Sequence, residues 1–419
     1  MKTKYILMAG MAALAVFSCS KRDVAPEPVE PEVEPLPPAR IVSTTHDEPY
    51  GMTVCVMEYP SSDPYGNPIT LSGTITYGDE IKDQKPAKGI MLVNRPSAAG
   101  TADCPSGGFL LIQKILVGSG LVCVSPDLYG FGVTVDKSQA YCMGEANAQA
   151  AVDALLATQE LLPGLDIPFE PGKNNRIFNM GYSQGGQTAI AVLKAAAEKY
   201  PDLHFAHTFA GSGPYNMPET FISLFRTGET RLPATVIQAL LAFNEYYGLG
   251  YRQEELFRES AMPDIKEYIL SKNYSIFQVN EKFSAQRLEN LLNPDILNAE
   301  SEMFRRFSEA VVKDNLCTGW VPRKEERIFL NCLPQDDVIS STNTLDLYHF
   351  LTGEQEMPHV ELFYSKGVSV LVPDQVPRHI ASAADFAINV MGILASNYDI
   401  AWLPNFAQII KDAMAARTI

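Results

Sequence analysis

The chain has 419 residues, 46% of them hydrophobic and 20% charged; this composition excludes wholesale disorder and suits one large fold carrying an inserted segment. Its formal net charge of −16 excludes a nucleic-acid partner, because phosphate binding needs a clustered basic face and no Lys/Arg cluster breaks the acidic balance. The acidity serves solubility, with at most weak steering of neutral or cationic substrates.

Lys2 and Lys4 precede an apolar run from Tyr5 to Phe17, which has the length of a secretory signal core and is short for a bilayer-spanning helix. The run ends Val16-Phe17-Ser18-Cys19 and so resembles the lipobox of bacterial lipoproteins. That resemblance implies cleavage after residue 18 and lipid attachment to Cys19. Ser20, in place of an Asp, is similar to lipoproteins passed on to the outer membrane. Val24 to Pro38 read VAPEPVEPEVEPLPP, whose alternating Pro and Glu cannot pack a core and predict an extended tether. The expected organisation is a signal peptide at 1–18, a tether at 19–40, and a folded domain at 41–419 held in the cell envelope by a lipid anchor.

Beyond Cys19 there are six Cys, at 55, 104, 123, 142, 317 and 332. Export permits disulfides, but spacing selects no pairing. Cys55, Cys123 and Cys332 lie in strand-like runs and read as small buried hydrophobes. No Cys-x-x-Cys pair or His-rich cluster suggests a metal site, and the chemistry below calls for no cofactor.

Met52 to Tyr59 and Ile69 to Tyr77 alternate β-formers around SSDPYGNP and predict an antiparallel pair. Gly89 to Val93 and Leu121 to Val124 are short and almost wholly apolar, the pattern of strands buried on both faces of a parallel sheet. Helical spacing follows each, over Gly108 to Val117 and Ala146 to Leu162. Then come a strand at Arg176 to Met180, a helix from about Gly185 to Tyr200 and a strand at His204 to Ala210. This alternation predicts an α/β fold, a mostly parallel central sheet flanked by helices. From about Gly213 to Glu326 only helical patterns occur, among them Ala234 to Tyr247, Ile265 to Ser271 and Glu302 to Leu316, which marks a helical insertion at about 213–326. The alternation resumes with a strand at Arg327 to Leu333, a helix at Ser341 to Leu351, strand and loop over Val360 to Val372, and a final helix at Ala381 to Leu394.

Gly181-Tyr182-Ser183-Gln184-Gly185 fits Gly-x-Ser-x-Gly, and an apolar strand enters it while an Ala-rich helix leaves it. Such a turn lifts the Ser183 hydroxyl above the sheet as a nucleophile, with the helix N-terminus favouring developing negative charge. A serine hydroxyl needs a base, and the base needs an acid to hold its tautomer, in the chain order Ser, acid, His. Of the later His, His349 sits inside a helical pattern and His359 precedes the last strand, whereas His379 follows that strand just before the final helix. His379 is the expected base. The acid should leave the strand Arg327 to Leu333, where Asp336 and Asp337 both qualify. The oxyanion donors would be the backbone N–H of Gln184 and one from Asn94-Arg95-Pro96-Ser97; Pro96 has none, which points to Ser97.

With these pieces in place the chain resembles the α/β-hydrolase superfamily, and within it the secretory-lipase-like group, from about residue 50 onward. The resemblance rests on PSAAGTADCPS, SPDLYGFG, GYSQGG, AGSGPYNMPET, QDDVI and RHIASAADF. It implies a nucleophile at Ser183, a base at His379, an acid at Asp336 three residues before Ile339, and a lid role for the insertion. Relatives carry His-Gly where this chain has Arg95-Pro96, and Arg95 reads equally as a ligand for a substrate carboxylate or as a structural ion pair. The expected activity is carboxylic ester hydrolysis on a small-molecule or lipid ester. A peptidase on the same triad and a non-catalytic surface lipoprotein of the same fold are the alternatives. The acyl chain and the oligomeric state are not legible.

Overall fold

A computed structural model describes residues 35–82, 86–169, 176–283, 287–365 and 377–400. The signal segment, Cys19 and most of the tether lie outside these residues, as does the loop expected after residue 365.

Nine strands form one sheet: β1 Arg40–Asp47, β2 Met52–Ser62, β3 Pro68–Gly78, β4 Gly89–Asn94, β5 Leu121–Pro126, β6 Arg176–Tyr182, β7 His207–Gly211, β8 Ile328–Cys332 and β9 Val360–Tyr364. Their order is β1-β2-β3-β5-β4-β6-β7-β8-β9. The first three pair antiparallel, as do β3 and β5, and every later pair is parallel. β1 was not foreseen. Its sequence RIVSTTHD is polar and mostly exposed along its length, so this edge strand carries no apolar alternation to read.

The apolar runs of the parallel strands divide their side chains between two cores, as a period of two demands. Ile90 and Leu92, Val122 and Val124, and Ile328 and Leu330 pack on one face, with the helices Gly144–Leu161 and Gln184–Lys199. Met91 and Val93, Phe178 and Met180, Phe209 and Phe329 pack on the other, against Phe386, Val390 and Leu394 of the helix Arg378–Tyr398.

Two expected helices changed. The segment from Gly108 is helical only over Leu111–Leu116, because two short 3-10 turns and Gly108 at φ +103° occupy the approach. The last helix begins at Arg378 rather than Ala381, so His379 lies in its first turn and not before it.

Between β7 and β8 the described residues form only helices, turns and one isolated bridge, Phe257 to Leu292. The principal helices there are Met217–Thr227, Pro233–Tyr246, Ile276–Phe283 and Glu302–Val311. β4 has β5 on one side and β6 on the other, so the chain leaving β4 and the chain leaving β6 diverge. In an open parallel sheet that switch point leaves a crevice beyond the carboxyl ends of the strands.

Candidate active site

Ser183 sits in that crevice, on a turn whose strain is visible. Its φ of 59° and ψ of −124° are rare for a residue with a side chain, and such outliers persist only where the surroundings over-determine them. Here they do: the Ser183 N–H donates to the Gly211 carbonyl at 2.8 Å, and the Ser183 carbonyl accepts from the Gln187 N–H at 3.2 Å. The glycines are required by space. A Cβ on Gly181 would stand 2.0 Å from the Gly185 carbonyl oxygen, and one on Gly185 would stand 2.2 Å from that of Asn94.

The Ser183 Oγ lies 2.9 Å from His379 Nε2, and His379 Nδ1 lies 2.7 Å from Asp336 Oδ2. The His379 and Asp336 side chains are almost fully buried, at 2% and 1% exposure. The second oxygen of Asp336 accepts from the N–H groups of Val338 and Ile339, each at 2.9 Å, so the loop's own backbone aims the carboxylate. Val338, rather than Ile339, is the buried side chain that seats this loop.

Asp337 is partly exposed, yet its carboxylate is engaged, and not by the next helix in sequence. Its carboxylate accepts from the N–H groups of Arg378 and His379, each at 3.1 Å, at the start of the helix Arg378–Tyr398. Those N–H groups have no intrahelical partner, and a carboxylate at a helix N-terminus also meets the positive end of the helix dipole. The adjacent aspartates thus hold the same histidine twice, one by its ring and one by its backbone. At the other side of the ring, the Tyr182 hydroxyl donates to the His379 carbonyl at 2.7 Å. Burial pushes the Tyr182 phenol pKa up, so it stays a donor.

Ser97 lies on the pocket wall, and its Oγ is 2.7 Å from the Tyr141 hydroxyl, a partner that sequence reasoning missed. Gln184 opens the helix that follows Ser183. Among the described residues neither the Ser97 nor the Gln184 backbone N–H has a hydrogen-bond partner. Arg95 does not line the pocket and, among the described residues, makes no ion pair. It is 3% exposed, its guanidinium donates to the carbonyls of Asp127 at 2.8 Å and Pro96 at 3.0 Å, and it lies 4.8 Å above the Phe131 ring. It therefore clamps the loop that carries Ser97.

Asp103 was also missed, although it lies within the quoted PSAAGTADCPS. One of its oxygens accepts from the N–H groups of Ala99, Gly100 and Ile276, at 2.8, 3.1 and 2.6 Å. Burial raises its pKa, and these three donors oppose the rise. Asp103 thereby ties the loop after β4 to the helix Ile276–Phe283. The resulting pocket, about 200 Å³, is lined by Ser183 and His379 together with apolar residues that include Phe109, Ile112, Ile276 and Phe386.

The remaining histidines play no part here. His207 is 1% exposed and stacks on Phe209, and burial lowers its pKa to about 4, so it is neutral. His349 ends the helix Thr342–His349, and the His359 carbonyl accepts from Ile328 at the base of β8. The six described cysteines are free thiols, and all but Cys317 are buried.

No family model and no curated protein sequence matches the chain. Solved structures do. A rice cell wall degrading esterase, LipA from Xanthomonas oryzae, aligns at a TM-score of 0.70 and 18% identity, over 86% of this chain and 97% of that one. A putative hydrolase from Legionella pneumophila aligns at 0.69 and 18%, over 85% and 91%. Candida antarctica lipase A in its closed state aligns at 0.63 and 15%, over 87% and 82%. At such identities the likeness concerns the fold, and the fold is that of the α/β-hydrolases.

Proposed function

We propose that the chain is a serine hydrolase that cleaves carboxylic esters through an acyl-enzyme. The observation that carries this reading is the pair of hydrogen bonds from Ser183 through His379 to Asp336, with Ser183 and His379 lining a largely apolar pocket. That two of the similar structures bear the names of an esterase and a lipase supports the substrate class.

The steps in this reading are these. Ser183 Oγ attacks the ester carbonyl as His379 Nε2 takes its proton, and the imidazolium so formed is stabilised by Asp336. Negative charge on the former carbonyl oxygen is met by the N–H groups of Ser97 and Gln184, held ready by the Arg95 clamp and by the helix N-terminus. The C–O bond then breaks and the alkoxide leaves with the proton from His379; water, deprotonated in turn by His379, attacks the acyl carbon, and the acid departs as His379 returns that proton to Ser183 Oγ. None of these steps requires a cofactor.

Turnover of nitrophenyl esters of graded chain length, set against the matching nitroanilides, tests the reading. Cleavage of esters with anilides at least about a hundredfold slower, a gap of roughly 2.7 kcal/mol in barrier, is expected. Preferential anilide cleavage would assign a peptidase instead, and inertness toward both would leave a binding protein.

We also infer that the mature chain is anchored to the cell envelope, in the outer membrane, by acylation of Cys19. The basic start, apolar run, lipobox-like ending and Pro/Glu segment support it. Cys19→Ala should move the protein from the membrane to the soluble fraction, and a wild type already soluble would end the idea.

A further inference from the structure

The lining of the pocket leaves the reacting atoms along two elements. Along β6 it passes from Ser183 back to Met180, and along the helix Arg378–Tyr398 from His379 through Ile380 and Ala383 to Phe386. Both paths end in the same core, where Met180 and Phe386 pack in one cluster with Val93, and Ile112 and Ala383 lie against it. The strand span from Met180 to Ser183 and the helix span from His379 to Phe386 are each about 10 Å. Leu111 and Ile112 of the helix Leu111–Leu116 line the pocket as well, and Leu232, Ile276 and Phe277 of the inserted segment complete it. The pocket is thus an opening into the second core, and it extends about as far as a medium-length alkyl or phenylalkyl group reaches.

Most polar side chains of this lining are already engaged. The Ser97 hydroxyl is bonded to that of Tyr141, the Tyr182 hydroxyl donates to the His379 carbonyl, and the Asn94 amide donates to Asn179 and Met180. The Asp103 carboxylate takes three backbone N–H bonds. Asn280, on the inserted segment, is the exception among the described residues. A polar substituent on the substrate would give up water here for little return, so the arm that fits is a hydrocarbon. Of the small lining residues, Gly181 and Ser183 form the elbow and Ser97 belongs to the oxyanion loop, which leaves Ala383. It stands four residues after His379 and so on the same helix face, between His379 and Phe386. We propose that the cleft between the helices Leu111–Leu116 and Arg378–Tyr398 takes an unsubstituted hydrocarbon arm of the ester, and that Ala383 sets how long that arm can be. The inference rests on the ester-hydrolase reading and narrows its substrate class to neutral esters with a medium-length alkyl or phenylalkyl arm.

Two ester series, used on the full chain below the concentrations at which they form micelles, test this: nitrophenyl acetate, butanoate, hexanoate and octanoate for the acyl arm, and ethyl, butyl, hexyl and octyl acetate for the alcohol arm. In the wild type kcat/KM should rise by at least about tenfold from the shortest to the longest member of one series, since each buried methylene is worth up to about fourfold. Ala383→Leu should cut that ratio by about tenfold or more, because the added bulk stands where the arm lies. Ile112→Phe fills the cleft from the other helix, should cut the ratio in the same direction, and keeps the test open where the first variant does not fold. Labelling of Ser183 by a short-chain fluorophosphonate should persist in both. Equal rates along both series in the wild type, or a ratio that a folded variant of either kind leaves unchanged, would overturn the cleft alone. Absence of labelling and of turnover on every ester would instead remove the ester reading, and the cleft with it.

Discussion

The carboxyl rim of the sheet and the helical segment between β7 and β8 build the same pocket by different means. At the rim, backbone groups fix each reactive side chain: Ser183 through the Gly211 carbonyl, Asp336 through the Val338 and Ile339 N–H groups, His379 through its own N–H on Asp337. The helical segment is tied in chiefly by side chains, Asp103 to the Ile276 N–H, Lys272 to the Gly130 and Val135 carbonyls, and Asp314 bridging the Gly144 N–H and the Tyr247 hydroxyl, beside backbone bonds from the Thr101 N–H to the Lys272 carbonyl and from the Arg231 N–H to the Asp337 carbonyl. Backbone register leaves little freedom, whereas side-chain ties are individually replaceable. Chemistry should therefore respond to substitutions at the rim, and substrate shape and stability to those in the helices.

The largest effect is expected at Asp336. Asp336→Asn removes the charge that stabilises the imidazolium and permits the wrong tautomer, which in a related triad lowers turnover by about 10⁴-fold. Asp337→Ala should lower kcat less, because it removes a helix cap worth about 0.5–2 kcal/mol, or about 2- to 30-fold if all of it is felt in the transition state. Asp337→Asn keeps an acceptor and should stay within about tenfold. Steady-state kinetics of the three folded variants on one nitrophenyl ester measures the ranking, and the reverse order would move the acid to Asp337.

The smallest effect on turnover is expected at Asp314, where Asp314→Asn should change kcat/KM by less than about threefold. Its signature is in stability. Burial raises the Asp314 pKa to about 6, from the ordinary aspartate value of 3.8, despite the bonds from Tyr247 and Gly144. The folded state therefore keeps a proton that the unfolded state releases, and this carboxyl's contribution to stability falls as pH rises from about 4 to about 6, then levels off. At about 1.4 kcal/mol per unit the fall is about 2–3 kcal/mol. Urea unfolding of wild type and Asp314→Asn at both pH values should show that difference narrowing toward acid, and parallel pH dependences would refute it.

What the sequence disclosed follows the same division. Two-faced strands must be wholly apolar and an elbow must have glycine on either side of Ser183, so β4, β5, β6 and the strained turn at Ser183 were plain in the chain. His379 followed from chain order alone. Asp336 and Asp337 stayed equivalent in composition because both are neighbours in one loop, and only the direction of each carboxylate separates them. Asp103 and Tyr141 were hidden for a different reason: each acts across a contact with a distant segment, and a polar residue in a loop or on a helix leaves no periodic trace. Arg95 read equally as a carboxylate ligand or as a structural ion-pair partner, since only its burial against Phe131 and its carbonyl partners reveal it as a clamp.

The claim on which the rest depends is a covalent acyl group on Ser183. Mixing the protein with a slowly hydrolysed nitrophenyl ester, quenching in acid and mapping peptides by mass spectrometry tests it most directly. The wild type should carry the acyl mass on the peptide containing Ser183 within the first turnover, and Ser183→Ala, although folded, should carry none and hydrolyse no ester above background. An adduct on another residue, or undiminished hydrolysis by Ser183→Ala, would contradict the account.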